Sequence, residues 1–159
     1  MTTRHHPTNA VRTLALVTLA VLLAACSFLP GASLSPRDLA LRDLAVHQAQ
    51  WQSKGPASYS FTITRQCFCP SDPLDVVVVD GVATKVTVAG KAPTEFQVTG
   101  VPLTIQALFA LVAAQDEAAD MTVEWDAGFG YPTSVQVDPI ENAIDDEFGY
   151  TITNFKPAS

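Results

Sequence analysis

The chain has 159 residues, and its 16 acidic side chains outnumber nine basic ones to give a formal net charge of −7. This length fits a single domain of ordinary size. The acidic excess excludes nucleic acid as an expected partner, because a negatively charged surface repels a phosphate backbone.

The first 25 residues are typical of a secretory signal. Arg4 and Arg12 make the start positive, and residues 14–23 form an uncharged apolar run. That run is too short to cross the hydrocarbon core of a membrane, which needs about 20 apolar residues. We therefore expect the segment to direct export rather than to stay in the mature protein.

The residues that follow resemble the lipobox of bacterial lipoproteins. Leu23-Ala24-Ala25-Cys26 places small residues before a cysteine. The resemblance implies lipidation of Cys26 and cleavage before it, with residues 26–35 as a short tether and residues 36–156 as one domain. Two or more acyl chains give stable anchoring to a membrane. The alternative is an ordinary signal peptide with a chance cysteine.

The first predicted element of the mature chain is a helix that begins at Pro36. Ser35 is a preferred N-cap residue, Pro36 suits the first turn, and Asp38 lies three residues after the cap. The residues that follow near the spacing of one helix face are Leu41, Leu44, Ala45, Gln48 and Trp51. Gly55-Pro56 ends the helix.

Three strands are predicted next. Tyr59, Phe61 and Ile63 alternate with polar residues, as in a half-buried strand. Residues 74–79 are rich in valine, and Asp80-Gly81 is a strong two-residue hairpin signal. Val82, Val86 and Val88 continue the partner strand, and a loop with Gly90, Pro93 and Gly100 comes after it.

The second half repeats this order. Thr104 caps a helix whose apolar stripe is Ile105, Leu108, Phe109 and Val112. The three predicted strands contain Met121, Val123 and Trp125, then Val135 and Val137, then Phe148, Tyr150 and Ile152. A turn with Gly128, Gly130 and Pro132 joins the first two.

This order predicts an α+β fold built from a duplicated α-β-β-β unit. Strands joined by hairpins form antiparallel sheets, and two helices can cover one face of such a sheet. We expect a two-layer sandwich with up to six strands, two helices on one face and a solvated face rich in serine and threonine.

Several motifs resemble a family of uncharacterised bacterial envelope lipoproteins, classed as a domain of unknown function. They are Tyr59-Ser60-Phe61, then Cys67-Phe68-Cys69-Pro70, then Gly130-Tyr131-Pro132-Thr133-Ser134 running to Asp138, and last the segment from Asn142 to Tyr150. The resemblance covers about residues 51 to 155. It implies a compartment and an identity, but it carries no established activity.

Cys67 and Cys69 are the two cysteines that remain once Cys26 is lipidated. An exported protein lies in an oxidising space, so a disulfide between them is the first expectation. Their spacing requires a bend in the chain, which Pro70 can supply. A thiolate metal site and a redox-active pair are the alternatives.

The densest group of oxygen ligands comprises Asp138, Glu141, Asn142, Asp145, Asp146 and Glu147. It lies in residues 101–159, which hold ten acidic residues and only Lys156 as a cation. Calcium binding is one interpretation, although the spacing departs from an EF-hand. Docking of a basic partner is another. The third is a structural loop with one helical turn, capped by Asn142 with Asp145 at its third position.

Aromatic residues surround the second predicted hairpin turn. Trp125, Phe129 and Tyr131 could anchor a partner, or they could cap the hydrophobic core. No enzyme is expected: the mature chain has one histidine, His47, with no adjacent motif of a nucleophile or a metal site.

Taken together, the sequence predicts a lipid-anchored protein of the cell envelope, on the outer face of the cell membrane or on the outer membrane. The leading interpretation is a binding or assembly module that docks another envelope protein, for which a basic protein is the candidate. The alternatives are a calcium-stabilised structural lipoprotein and a thiol-redox factor using Cys67 and Cys69. No cofactor is expected apart from calcium, and the expected membrane contact is through the lipid.

We expect labelled palmitate to enter the protein and a Cys26→Ser variant to lose both the label and its attachment to membranes, because the thiol is the acceptor of the lipid. Cys67→Ser, which removes a different cysteine, should keep the label. Wild-type protein without label, together with identical fractionation of Cys26→Ser, would contradict lipidation.

Overall fold

The computed structural model describes residues 33–158, which form three helices and six strands. Cys26 and the predicted signal lie outside the described residues. Within them, no helix is long and apolar enough to cross a membrane. The elements are α1 (Pro36–Lys54), β1 (Tyr59–Gln66), β2 (Leu74–Val79), β3 (Val82–Thr87), α2 (Glu95–Val98), α3 (Ile105–Ala113), β4 (Asp120–Trp125), β5 (Pro132–Asp138) and β6 (Phe148–Pro157).

Helix α1 begins and ends where the sequence predicts. The Ser35 hydroxyl accepts a hydrogen bond of 3.1 Å from the backbone N–H of Asp38, which satisfies one of the free donors of the first turn. At the other end, the Gly55 N–H donates to the carbonyl of Trp51 at 2.7 Å. A Cβ on Gly55 would lie 2.5 Å from the Trp51 ring, so the chain can fold over this tryptophan only through glycine.

All six strands belong to one antiparallel sheet, in the order β3-β2-β1-β6-β5-β4. The first and last strands of the chain are therefore neighbours in its middle. Ile63 lies opposite Ile152, and Gln66 lies opposite Gly149. The expectation of an antiparallel sheet of up to six strands is confirmed.

The hydrophobic core combines side chains of helices α1 and α3 with side chains of the sheet. Alternate strand residues are buried there, among them Tyr59, Phe61, Ile63, Leu74, Val76 and Val78, and they join Trp51 from α1 and Ile105, Leu108 and Phe109 from α3. A second cluster unites Ala40, Val112, Met121, Val135 and Val137. Burying one large aliphatic side chain such as Ile63 stabilises the fold by roughly 2 kcal/mol.

Three details differ from the sequence-based expectations. The loop after β3 contains a short helix, α2, which begins with a capping box between Thr94 and Gln97. Pro132 opens strand β5 instead of belonging to the turn before it. Val88 lies outside β3, in an isolated bridge with Lys91.

The turn between β4 and β5 packs against α1 through Gly130. The φ angle of Gly130 is +82°, and an added Cβ would lie 2.9 Å from both the Gln50 Cβ and the His47 carbonyl oxygen. Gly81, in the hairpin between β2 and β3, has a similar φ of +79° with no atom within 4 Å of the added Cβ. An added side chain would strain the backbone at both positions because φ is positive, but only at Gly130 would it also contact α1.

We expect Gly81→Ala to lower the free energy of unfolding by about 1 to 2 kcal/mol, the penalty of a left-handed backbone for alanine. Gly130→Ala should lower it by about 1 to 3 kcal/mol more, because the new methyl group also overpacks against α1. Urea denaturation of both variants measures the difference. An equal decrease in the free energy of unfolding in both variants would contradict steric contact between the added methyl group and α1.

Candidate functional site

Two loops that carry sequence motifs leave the same end of the sheet. Strand β1 ends at Gln66 and β6 begins at Phe148, and the two strands are antiparallel neighbours. The cysteine turn (residues 67–70, after β1) and the acidic loop (residues 139–147, before β6) therefore emerge side by side. We call this end of the sheet, together with the cysteine turn and the acidic loop, the loop end.

A groove of about 320 Å³ lies between the two segments at the loop end. Cys67 and Phe68 line it from the cysteine turn, and Asp145 and Glu147 line it from the acidic loop. The sheet supplies the remaining lining residues, which are Gln66, Gln136 and Phe148. The fold thus brings together two motifs that are far apart in the sequence.

The amides of Gln66 and Gln136 join the strands beneath this groove. The Gln136 side-chain amide donates a hydrogen bond to the Gln66 side-chain carbonyl oxygen. Gly149 lies against Gln136, because a Cβ added to this glycine would come within 2.6 Å of the Gln136 side chain and of the Val135 carbonyl oxygen. A side chain at position 149 would displace that amide, so the glycine keeps the floor of the groove in place.

The cysteine turn presents one aromatic side chain to solvent. Cys67 and Cys69 are in disulfide contact, and their Cα atoms lie 5.1 Å apart, inside the normal range for a disulfide. Residues i and i+2 of a straight strand lie about 6.6 Å apart, so the chain bends here. Phe68, between the two cysteines, is 85% exposed.

The acidic loop is irregular, and the prediction of a capped helical turn is wrong. Asn142 and Asp145 have φ angles of +62° and +67°. These left-handed conformations are incompatible with a helix N-cap and with a helical third position, respectively. The loop exposes two apolar side chains among its acids, Ile140 at 63% and Ile144 at 86%.

The predicted acidic residues do not converge on one point. Asp145 and Glu147 line the groove beside Phe68, while Asp138 and Glu147 line a second groove of about 200 Å³ next to Asp120. Asn142 lines neither. Both carboxylate oxygens of Asp146 and Oδ1 of Asp138 are shielded from solvent without a hydrogen-bond partner in the described part of the chain.

Between residues 33 and 158, no group of three or more histidine, cysteine, aspartate or glutamate side chains could hold a metal ion. Hard cations such as calcium take six to eight oxygen ligands, so two carboxylates beside one groove are far from a complete set.

The three predicted aromatic residues lie at the opposite end of β5, away from the loop end. Tyr131 is 7% exposed and stacks on Phe155 with ring centroids 4.5 Å apart. Trp125 stacks on His47 at 4.4 Å, and Phe129 packs on Phe155 at 5.6 Å. All three rings pack with the core, so they do not form part of the surface at the loop end.

Burial also affects the ionisation of Tyr131. Removal of its phenol from water raises the pKa to about 12 from the usual value of 10.0, and the negative charge of Asp126 adds to this effect. The side chain therefore stays neutral in the folded protein over a pH range in which an exposed tyrosine ionises.

The residues of this site that sequence reasoning missed are Gln66, Gln136 and the exposed apolar side chains Phe68, Ile140 and Ile144. The pairing of Gln66 and Gln136 depends on strand order, which no local pattern reveals.

Comparison with known proteins gives one match. A family model described as "Family of unknown function (DUF6174)" matches residues 43–157. The matched range runs from α1 to the end of β6, and therefore includes both segments of the loop end. No curated protein and no solved structure matches the chain.

We expect the stability of the domain to fall as the pH rises from about 10 to about 12, because tyrosine ionises with a pKa of about 10 in the unfolded chain but stays protonated when Tyr131 is buried. In Tyr131→Phe this fall should be smaller. Melting midpoints between pH 8 and pH 12 measure both slopes. Parallel curves for the two proteins would contradict a contribution from Tyr131.

Proposed function

The chain belongs to the DUF6174 family of unknown function, and from that premise we propose that it is a lipid-anchored envelope protein that docks a basic partner protein at the loop end. The observation that carries this proposal is the meeting of the cysteine turn and the acidic loop around one groove. Because the two segments are separate in sequence, their surface exists only in the folded domain.

The chemistry of the loop end suits a protein partner with positive charge. Asp145 and Glu147 face the groove, and exposed Phe68 and Ile144 flank it. Opposite charges steer association and fix orientation, while an apolar anchor buried in a pocket supplies most of the affinity. An acidic surface with apolar projections therefore favours a partner that combines lysine or arginine with an apolar side chain.

The resemblance of residues 23–26 to a lipobox supports an envelope location for this module. Lipid on Cys26 would hold the domain at the outer face of the cell membrane or at the outer membrane, where its partner would be another envelope protein. Anchoring confines both proteins to one surface and raises their effective concentration.

Two features support a duplicated architecture for the domain. Strands β1, β2 and β3 pair in sequence order, as do β4, β5 and β6, and the sheet order is symmetrical about the central pair β1–β6. Each set of three strands follows a helix of the core, α1 or α3. We infer a two-layer sandwich made of two α-β-β-β units.

Binding is a better proposal than catalysis or thiol exchange. His47 lies flat on Trp125 instead of beside a nucleophile. Cys67 and Cys69 are in disulfide contact, and among the described residues no basic side chain, of the kind that activates a cysteine for exchange, lines the groove beside Cys67. The disulfide therefore fits a structural role, which is to hold Phe68 at the surface.

We expect the Asp145→Asn/Glu147→Gln variant, which neutralises the two acids that line the groove, to recover its partner from solubilised membranes at least about tenfold less efficiently than wild type, because each charge-assisted contact contributes about 1.5 to 3 kcal/mol. Phe68→Ala should weaken recovery without any change of charge. Affinity capture with quantitative mass spectrometry measures both. Capture by wild type should also fall as salt rises.

The matched control is Asp80→Asn/Glu124→Gln, which removes two exposed charges near the opposite end of the sheet. It should capture the partner as wild type does. Equal loss in both double variants would mean that net charge, and not the loop end, governs binding. Full capture by Asp145→Asn/Glu147→Gln and by Phe68→Ala would overturn the proposal.

A further inference from the structure

A third groove, of about 400 Å³, lies between helices α1 and α3, away from the loop end, and we call it the helical groove. Helix α1 forms one wall with Gln48 and Gln52, which are four residues apart and so share a helix face. Helix α3 forms the other wall with Gln106 and Ala110, which share the same spacing. This volume lies within the range of small-molecule sites, about 300 to 1,000 Å³.

The floor of the groove is aromatic and rigid. Trp51 and Phe109 form it, and both are almost fully buried. The Trp51 ring makes edge-to-face contacts with Tyr59, Tyr131 and Phe155 at centroid distances of 5.4, 6.1 and 6.0 Å. These contacts prevent the tryptophan from swinging into the groove, so the space is already formed before a ligand arrives.

No charged side chain lines this groove among the described residues, although the chain as a whole carries a net charge of −7. A charged ligand would lose its hydration there without gaining a counter-charge, which is strongly unfavourable. The groove therefore discriminates in favour of neutral molecules.

Three glutamine amides supply the polar contacts at the rim. Each amide offers both a hydrogen-bond acceptor and a donor, as a sugar hydroxyl does. Gln106 is oriented by the core: the Tyr59 hydroxyl accepts from the Ile105 N–H at 2.9 Å and donates to the Gln106 side-chain oxygen at 3.3 Å. The Gln106 NH2 group is left to donate to a ligand.

From the neutral lining, the paired donors and acceptors and the apolar floor, we propose that this groove binds a neutral carbohydrate. A sugar ring has an apolar face for the half-buried Pro56 and the exposed Ala57 and Ala110, which lie above the buried Trp51 and Phe109, and hydroxyl or acetamido groups for the three amides. The inference does not depend on docking at the loop end, because the two grooves share no lining residue.

The test is a titration of the full chain with the dimer and trimer of N-acetylglucosamine, followed by tryptophan fluorescence and by calorimetry. We expect saturable binding that changes the emission of Trp51. Gln106→Ala should weaken it about 3- to 10-fold, as expected for one lost neutral hydrogen bond. Ala110→Trp should abolish it by filling the groove, since residue 110 is exposed and faces the opening.

The matched control is Gln50→Ala. Gln50 lies on the same helix, but its amide donates to the carbonyls of Ala127 and Gly128 outside the groove. This variant should bind within twofold of wild type. The deacetylated, cationic dimer should bind more weakly than the neutral one.

Absence of saturable binding for both neutral oligomers would overturn the proposal. So would unchanged affinity in Gln106→Ala and Ala110→Trp, with melting midpoints used to show that each variant is folded. Equal affinity for the cationic dimer would overturn the argument from neutrality. Capture of a protein partner at the loop end would be unaffected by any of these results.

Discussion

The pairing of β1 with β6 is the constraint on which the rest of the structure depends. Strands β1, β2 and β3 form one set of neighbours, and β4, β5 and β6 form another, so this pair alone joins the two halves of the sheet. Its register places Ile63 opposite Ile152 with both side chains in the core. A slip of one residue would turn the buried face of a strand toward solvent, so burial of these residues fixes the register.

The same register creates both surfaces discussed above. It puts Gln66 beside Gly149, which brings the cysteine turn next to the acidic loop. It also sets β1 and β6 side by side, so that Tyr59 and Phe155 together hold the Trp51 ring of α1 in place beneath the helical groove. One surface is acidic with exposed apolar side chains, and the other is uncharged and partly aromatic. The proposed docking of a basic protein and the proposed binding of a neutral ligand would therefore use separate surfaces.

Local signals in the sequence were enough to locate most elements. The Ser35 cap, the Asp80-Gly81 turn and the stripe from Ile105 to Val112 all have a direct physical meaning, and the structure agrees with each. Helix α2 was missed because four residues are too few to show a helical period. The acidic loop was misinterpreted because asparagine and aspartate favour both helix caps and left-handed turns, and sequence alone does not choose between them.

The candidate site was less predictable than the fold, for a related reason. The motifs at residues 67–70 and 142–150 were recognisable separately, but their contact depends on a strand pair that spans most of the domain. The groove between α1 and α3 likewise depends on how two helices lie on the sheet. The periodicity of a sequence predicts single helices and strands, whereas these sites form where elements distant in sequence meet.

The central position of β6 also has a consequence for how the chain folds. Residues 148–157 form the last strand, yet they fill the middle of the sheet, about 90 residues from their partners in β1. Contacts of such long sequence separation form slowly, because the intervening chain must lose much of its freedom first. The sheet therefore cannot close until its C-terminal strand has been synthesised. A polypeptide with this topology therefore keeps an incomplete sheet until the end of its synthesis.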